Sequence, residues 1–393
     1  MKKIAILGFG VVGSGVAEVL TQNKELIEKR LGESIEIKYI LDLRDFPDSP
    51  FADKVIHDFN IILNDKEISI VAEMMGGSHP AYDFSKASLL AGKNVVTSNK
   101  EVVAKFGTEL LSIAKNNNVR YLFEASVGGG IPIIRPMNND LVSNKITSID
   151  GILNGTTNYI LTQMNENGTS FAEALKDAQA KGYAEADPTA DVEGLDAARK
   201  IVILSSLAFG KCISPERISC QGITEITVDD FEIAKSLGYT IKLIGHAEQI
   251  DGKIYASVSP RLVPLSNPLA HISDVYNGIL VGANMLDTVL FYGKGAGKLP
   301  TASAVVADIM DIAEKMSNEQ APSISWVDAS DNDIANDDAY HFQSCIILEG
   351  QAASGTYFAD INKTAVITDS LNKNDCILLA KTLGSNYKIY PII

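Results

Sequence analysis

Cysteine is scarce in this chain of 393 residues, and the four present (Cys212, Cys220, Cys345 and Cys376) form no C-x-x-C pair. That usage excludes a disulfide framework and a thiolate zinc site. Histidine is scarce as well: His57, His79, His246, His271 and His341 show no H-E-x-x-H or other close ligand spacing. No apolar run approaches the ~18 to 20 residues of a membrane span, and the N-terminus enters a strand without the cleavage site of a signal peptide. Positive charge is in deficit, 34 Lys and Arg against 49 Asp and Glu, a net charge of -15. Nucleic acid and anionic membrane are therefore excluded as expected partners, since both need clustered positive charge. A cytoplasmic protein acting on a small-molecule substrate is expected.

What is present is an ordinary globular composition, 46% hydrophobic and 21% charged, at a length that suits two or three domains. The chemistry is concentrated between Gly182 and Lys200. There, carboxylates at Glu185, Asp187 and Asp191 lead through Pro188 into a helix expected to open near Asp191. Asp196 and Lys200 stand four apart and so share a helix face. Such a pair is ordinarily a solvated surface contact. The stretch from Leu195 to Phe209, however, is rich in Ala, Ile, Val and Leu, so the helix is expected to be packed inside, where an unpaired ammonium is costly.

At the N-terminus, Ile4 to Leu7 reads as a strand, followed by Gly8-Phe9-Gly10-Val11-Val12-Gly13-Ser14-Gly15 and a helical continuation. This is G-x-G-x-x-G between a strand and a helix, the context that aims a helix N-terminus at a dinucleotide pyrophosphate. The second strand, Ile35 to Leu41, ends in Asp42-Leu43-Arg44-Asp45. An acid there reads the ribose hydroxyl of NAD and an arginine the 2′-phosphate of NADP, so both cofactors stay open. Further strands at Ile68 to Met75, Asn94 to Thr97 and Val119 to Glu124 predict a doubly wound parallel α/β sheet. Lys100 follows the strand at Asn94 to Thr97, at the ligand-binding edge. After Gly128-Gly129-Gly130 the pattern changes: Ile146 to Leu153 reads as a strand, Gly155 to Asn158 as a turn and cap, and Tyr159 to Met164 as a helix start. Asn154 to Asn158 then offer N–H groups at a helix N-terminus to a substrate carboxylate.

The segments GFGVVGSG from Gly8, VVTSNK ending at Lys100, FEASVGGGIPIIRPM from Phe123, GILNGTTNYIL from Gly151, GYAEADPTADVEGLDAARK from Gly182 and YGKGAGKLPTASAVVADI from Tyr292 together resemble the homoserine dehydrogenase family. The resemblance implies reversible reduction of L-aspartate 4-semialdehyde to L-homoserine with NADH or NADPH, by a homodimer or higher oligomer built through the second domain. By matched position, Lys200 is implied as proton donor and acceptor, with Lys100 beside the nicotinamide. Glu185, Asp191 and Asp196 are implied around the substrate's ammonium and hydroxyl, Gly155 and Thr156 in the substrate loop, and Gly297 in a second glycine turn near the cofactor. Glu124, with the carbonyls of Val127, Gly129 and Ile131, matches a structural monovalent-cation (Na+) site.

The expected organisation is a Rossmann-type NAD(P)-binding domain at 1–130, with 295–316 packing back on it, and an α+β catalytic and dimerisation domain at 131–294. An acidic linker at 317–340, with six acidic residues and no basic ones, leads to a short α+β module at 341–393. That module resembles a truncated ACT domain: the stretch after Phe342 looks too short for the first helix and its following strand, which suits packing better than threonine sensing. With the glycine turn at residue 8, no N-terminal kinase of the bifunctional type is expected. The rival readings are a dehydrogenase for a related semialdehyde, separated by dependence on the α-ammonium, and a non-catalytic nucleotide sensor, which has no need of Lys200.

Overall fold

The computed structural model describes residues 1–316, 324–352 and 354–393. From the N-terminus the chain runs through β1 (Lys2–Leu7), α1 (Val11–Gln22), α2 (Lys24–Leu31), β2 (Ile35–Leu41), β3 (Val55–Ile56), α3 (Phe59–Asn64), β4 (Ile68–Glu73), α4 (Ala81–Leu90), β5 (Asn94–Thr97), α5 (Lys100–Asn116) and β6 (Tyr121–Leu122). It continues with β7 (Ile146–Ile152), α6 (Gly155–Asn167), α7 (Phe171–Ala180), α8 (Thr189–Val192), α9 (Leu195–Phe209), β8 (Lys211–Cys212), β9 (Ser219–Cys220) and α10 (Val228–Ser236). The hairpin strands β10 (Tyr239–Ile250) and β11 (Lys253–Pro264) precede β12 (Tyr276–Ala283), β13 (Asp287–Lys294) and α11 (Lys298–Lys315). Last come β14 (Val327–Asp328), β15 (His341–Phe342), β16 (Ser344–Glu349), β17 (Thr356–Phe358), β18 (Lys363–Ile367), β19 (Leu371–Asn372), α12 (Lys373–Leu383) and β20 (Tyr387–Pro391).

These elements fall into two units, the first made of 1–143, 206–212 and 293–328 and the second of the remainder. In the first unit the strands pair in the order β3-β2-β1-β4-β5-β6, all parallel. The order reverses direction at β1, and ligands bind at that reversal in such sheets. The central strand carries Ile4, Ala5, Ile6 and Leu7 with no exposure, as a strand covered on both faces must. Ala302, Val305 and Ile309 of α11 join the same core as Ile4 and Val16.

The second unit holds a sheet in the order β13-β12-β7-β10-β11-β9 and a smaller antiparallel sheet in the order β17-β18-β16-β20 with α12. The strand β17 corrects the expectation that the tail is too short for a strand at that point.

Two further expectations need correction. The acidic run does not enter one helix near Asp191. It forms the single turn α8, and Gly194, at φ +81°, breaks the chain before α9 begins at Leu195. Of the acidic stretch 317–340, residues 317–323 lie outside the described residues, and the rest is not a solvated spacer. Trp326 is buried against Phe123, 5.5 Å between ring centroids, and Tyr340 stacks on Tyr255 at 4.1 Å. Apolar burial of two aromatic rings outweighs the acidic composition around them.

Candidate active site

Asp196 and Lys200 stand one turn apart at the start of α9 and are only 4% and 7% exposed. Lys200 Nζ donates to Asp196 Oδ2 at 2.6 Å and to the Leu153 carbonyl at 2.7 Å. These partners offset the desolvation of the ammonium. The carbonyl is within reach because Gly151 and Gly245 face each other across β7 and β10. A Cβ on either would come within 2.7 to 2.8 Å of Leu153. Without side chains there, Leu153 and Ile201 of α9 settle onto the sheet, and Lys200 comes down over the end of β7.

Asn154 links the rest. Its Oδ1 accepts from Thr157 N–H at 2.8 Å and caps α6, while its Nδ2 donates to Asp191 Oδ1 at 2.7 Å and Asp196 Oδ2 at 2.8 Å. One network thus joins Asn154, Asp191, Asp196 and Lys200 although α8 and α9 are separate. Sequence reasoning placed Asn154 in a helix N-terminus suited to a substrate carboxylate; no signal in the chain announced its bonds to Asp191 and Asp196. Among the described residues no hydrogen bond uses the N–H groups of Gly155 and Thr156, so the N-terminus of α6 is open to an anion. Gly155 has no room for a side chain, since a Cβ would lie 2.7 Å from the Val275 carbonyl oxygen. Thr156 Oγ1 donates to the Tyr183 carbonyl at 2.6 Å. Glu185 is exposed and is tied down through its backbone carbonyl, by Gln179 Nε2 at 3.1 Å. No contact joins its carboxylate to the network among the described residues.

In the first unit, Gly8 turns at φ +87°, and a Cβ on Gly13 would lie 2.0 Å from the Gly8 carbonyl oxygen. Gly10 faces open space at the N-terminus of α1, where a pyrophosphate can approach the backbone. Val11 is exposed and Val12 half-buried, Ser14 Oγ bonds back to the Val11 carbonyl at 3.2 Å, and Gly15 lies under α11, 2.9 Å from the Lys298 carbonyl oxygen if given a Cβ. Gly297 caps the start of α11 at φ +122°. Phe9 N–H donates to Asp42 Oδ2 at 2.8 Å, and Arg44 grips the same carboxylate through Nε at 3.0 Å and Nη2 at 3.1 Å. The Arg44 guanidinium, assisted by the Phe9 amide, holds the Asp42 carboxyl down to about 2. Beside them opens a cavity of about 510 Å³ lined by Gly8, Gly10, Asp42, Arg44, His57 and Met75. These residues fit a dinucleotide.

Glu73, an acid at the end of an apolar strand, was the signal sequence reasoning passed over. It has no exposure and accepts from Met75 N–H at 2.6 Å and Thr97 Oγ1 at 2.7 Å; burial pushes its carboxyl up to about 7. Thr97 Oγ1 accepts in turn from Asn99 N–H at 2.9 Å. Asn99 caps α5 and donates to the Met75 and Gly77 carbonyls at 3.2 and 2.7 Å. This relay fixes Lys100, the half-buried first residue of α5.

Glu124 is buried. Its Oε1 accepts from Ile133 and Ile134 N–H at 2.6 and 2.9 Å and its Oε2 from Arg135 N–H at 2.7 Å. With both oxygens on amides, the carboxylate anchors the turn before residues 136–140. The carbonyls of Val127, Gly129 and Ile131 accept no backbone hydrogen bond among the described residues and by themselves suit a hard cation. Among the described residues no group of three or more His, Cys, Asp or Glu is arranged for a metal ion.

Two family models match the chain, one described as homoserine dehydrogenase over residues 132–310 and one as homoserine dehydrogenase, NAD binding domain, over residues 8–124. The homoserine dehydrogenase of Lactococcus lactis subsp. lactis is 44% identical over 318 residues, which are 79% of this chain and 74% of that relative. The crystal structure of a homoserine dehydrogenase from Thiobacillus denitrificans is similar at TM-score 0.90 and 31% identity, covering 100% of this chain and 98% of its own. A hyperthermophilic archaeal homoserine dehydrogenase in complex with NADPH is similar at TM-score 0.69 and 28% identity, covering 82% of this chain and 100% of that one.

Proposed function

Since the chain belongs to the homoserine dehydrogenase family, we propose that Lys200 is the proton donor and acceptor of its reaction, the reversible NAD(P)H-dependent reduction of L-aspartate 4-semialdehyde to L-homoserine on the route to threonine and methionine. The observation that carries this reading is the buried network of Asn154, Asp191, Asp196 and Lys200. A dinucleotide held by its pyrophosphate at the glycine turn would supply the hydride from its reduced nicotinamide. Lys200 Nζ hydrogen-bonds the aldehyde oxygen and gives it a proton as negative charge develops there; in the reverse direction it takes the hydroxyl proton. Asp196 compensates the ammonium of Lys200. Asp191 and Asp196, aligned by Asn154, receive the ammonium of the substrate, with Glu185 as an outer carboxylate. The N–H groups of Gly155 and Thr156 take the substrate carboxylate, and Lys100 serves the nicotinamide end.

The proposal extends to the organisation of the chain. Residues 1–130 with 295–316 bind NAD or NADP, 131–294 carry catalysis and the homodimer contact, and 341–393 form a shortened ACT-like module used in assembly. A sodium ion is held by Glu124 with the carbonyls of Val127, Gly129 and Ile131, and the enzyme works in the cytoplasm; no described helix is long and apolar enough to cross a membrane. The test follows NAD(P)H absorbance with purified protein, L-homoserine and NAD or NADP at mildly alkaline pH, with and without L-threonine. Reduction that requires homoserine and ignores threonine is expected. Protein that binds a dinucleotide but reduces neither would overturn the catalytic reading.

A further inference from the structure

Away from the catalytic network, within the second unit, the edge of the large sheet and the C-terminal sheet enclose a cavity of about 420 Å³. Ser257, Ser259 and Arg261 alternate along β11 and so line it from one face of the strand. Ile377 of α12 and Lys388 of β20 line it from the other side. The volume is that of a site for a small molecule.

Arg261 is the unusual group. It is 1% exposed, yet its partners are neutral. One terminal nitrogen, Nη1, donates to Tyr340 Oη at 3.2 Å and the other, Nη2, to Ser257 Oγ at 3.0 Å; Nε has no partner among the described residues. A guanidinium carries five N–H donors, so three have no acceptor among the described residues. Among the described residues no carboxylate forms an ion pair with it. The Asp150 carboxylate is near enough to feel its charge but is bonded to His246 Nδ1 at 2.8 Å. The other cations at the cavity are already neutralised: Lys373 pairs with Asp337 at 2.7 Å and Lys388 with Asp230 at 2.6 Å. The exposed Glu225 stands at the rim. Unfilled donors on a buried guanidinium are costly until an acceptor arrives.

We propose that this cavity is a binding site for a small monocarboxylate, whose carboxyl group takes the free edge of the Arg261 guanidinium while Ser257 and Ser259 serve its polar body. The unfilled donors of one planar guanidinium match the oxygens of one carboxylate. A phosphate dianion would need a second free cation, and Lys373 and Lys388 are both engaged. A ligand held there touches β11 as well as α12 and β20, so its binding strengthens the docking of the C-terminal sheet.

The test uses the full chain with acetate, L-lactate, L-alanine and inorganic phosphate as probes, followed by ligand-observed NMR and by thermal unfolding. At least one of the carboxylates should saturate a single site per chain and raise the unfolding temperature. Arg261→Gln should weaken that binding roughly tenfold or more, as expected for a lost charge-assisted hydrogen-bonding partner. Because removal of a buried arginine can disturb folding, Ile377→Trp is measured in parallel. It fills the cavity from α12, leaves Arg261 in place, and should abolish the same signal in protein whose circular dichroism is unchanged. Absence of saturable carboxylate binding to the wild type, binding of phosphate alone, or undiminished carboxylate binding in Ile377→Trp overturns the proposal. The readout does not involve dehydrogenase activity, so its failure is separate from any failure of the Lys200 reading.

Discussion

The two halves of the chemistry are built from different material. In the first unit the proposed nucleotide cradle is built from backbone: the Gly8 turn, the open approach at Gly10 and the contact of Gly13 with the Gly8 carbonyl are all places where a side chain is missing. In the second unit the proposed substrate site is built from side chains: Asn154, Asp191, Asp196 and Lys200 form a buried network held by four short hydrogen bonds, from 2.6 to 2.8 Å. A backbone cradle is specified by local spacing and survives most changes outside its glycines. A buried ionic network depends on the register of distant elements and fails when any one member is removed.

Lysine 200 gives the largest expected effect. Lys200→Ala should lower turnover by ~10² to 10⁴, the usual size of a lost general acid–base group, while the dissociation constant of the nucleotide stays within a few fold. Stopped-flow turnover and nucleotide fluorescence titration measure the two separately. Equal losses in both would erase the distinction between the two regions. Asn154→Ala comes next. It removes two bonds to carboxylates and the cap of α6, so the Michaelis constant for homoserine should rise roughly tenfold with little change in that for the nucleotide. Thermal stability should fall with the cap, worth about 1 kcal/mol. A change in the nucleotide constant alone would place Asn154 in the wrong half.

The glycine turn, the positions of β1, β2, β4, β5 and β6 along the chain and the Asp196–Lys200 spacing were legible because each is a local pattern with a local cause. The β10–β11 hairpin carries a local signal that the sequence reading passed over, Asp251-Gly252, both with positive φ, at 48° and 80°; such a pair is a strong short-range turn signal. What could not be read was long-range. Asn154 reaches carboxylates 37 and 42 positions away, and the contact depends on Gly151 and Gly245 meeting across two strands. Arg261 in an alternating strand reads as solvent-facing, and only the packing of Tyr340 and the C-terminal sheet buries it. The acidic composition around Trp326 masked the ring that anchors it, because composition averages over residues and burial does not.

Glu73 is the exception in the backbone-built half, a buried carboxyl on which the loop positions after β4 and β5 depend. Its folded value is raised from 4.5 to about 7, so the native state binds the extra proton between those limits. The stability it contributes is therefore complete below about pH 4.5 and is lost as pH rises toward 7. Asp308, also raised to about 7 by burial and by Glu124, acts in the same direction but is common to wild type and variant. Glu73→Gln should accordingly flatten the fall in unfolding temperature across this window, by a few degrees, as thermal melts at several pH values will show. Parallel pH profiles for the two proteins would mean that Glu73 is not the titrating group.

The smallest effect belongs to Arg44, whose side chain is 63% exposed and whose partner is Asp42. An exposed ion pair contributes little to stability, so Arg44→Ala should leave unfolding nearly unchanged. Its consequence is selective. The substitution removes the cation available to a 2′-phosphate and releases the Asp42 carboxylate toward a ribose hydroxyl. The ratio of NADPH to NADH dissociation constants should therefore rise by about threefold, whichever nucleotide the wild type prefers. An unchanged ratio would show that the end of β2 does not read the ribose, and that the nucleotide half recognises its ligand through backbone alone.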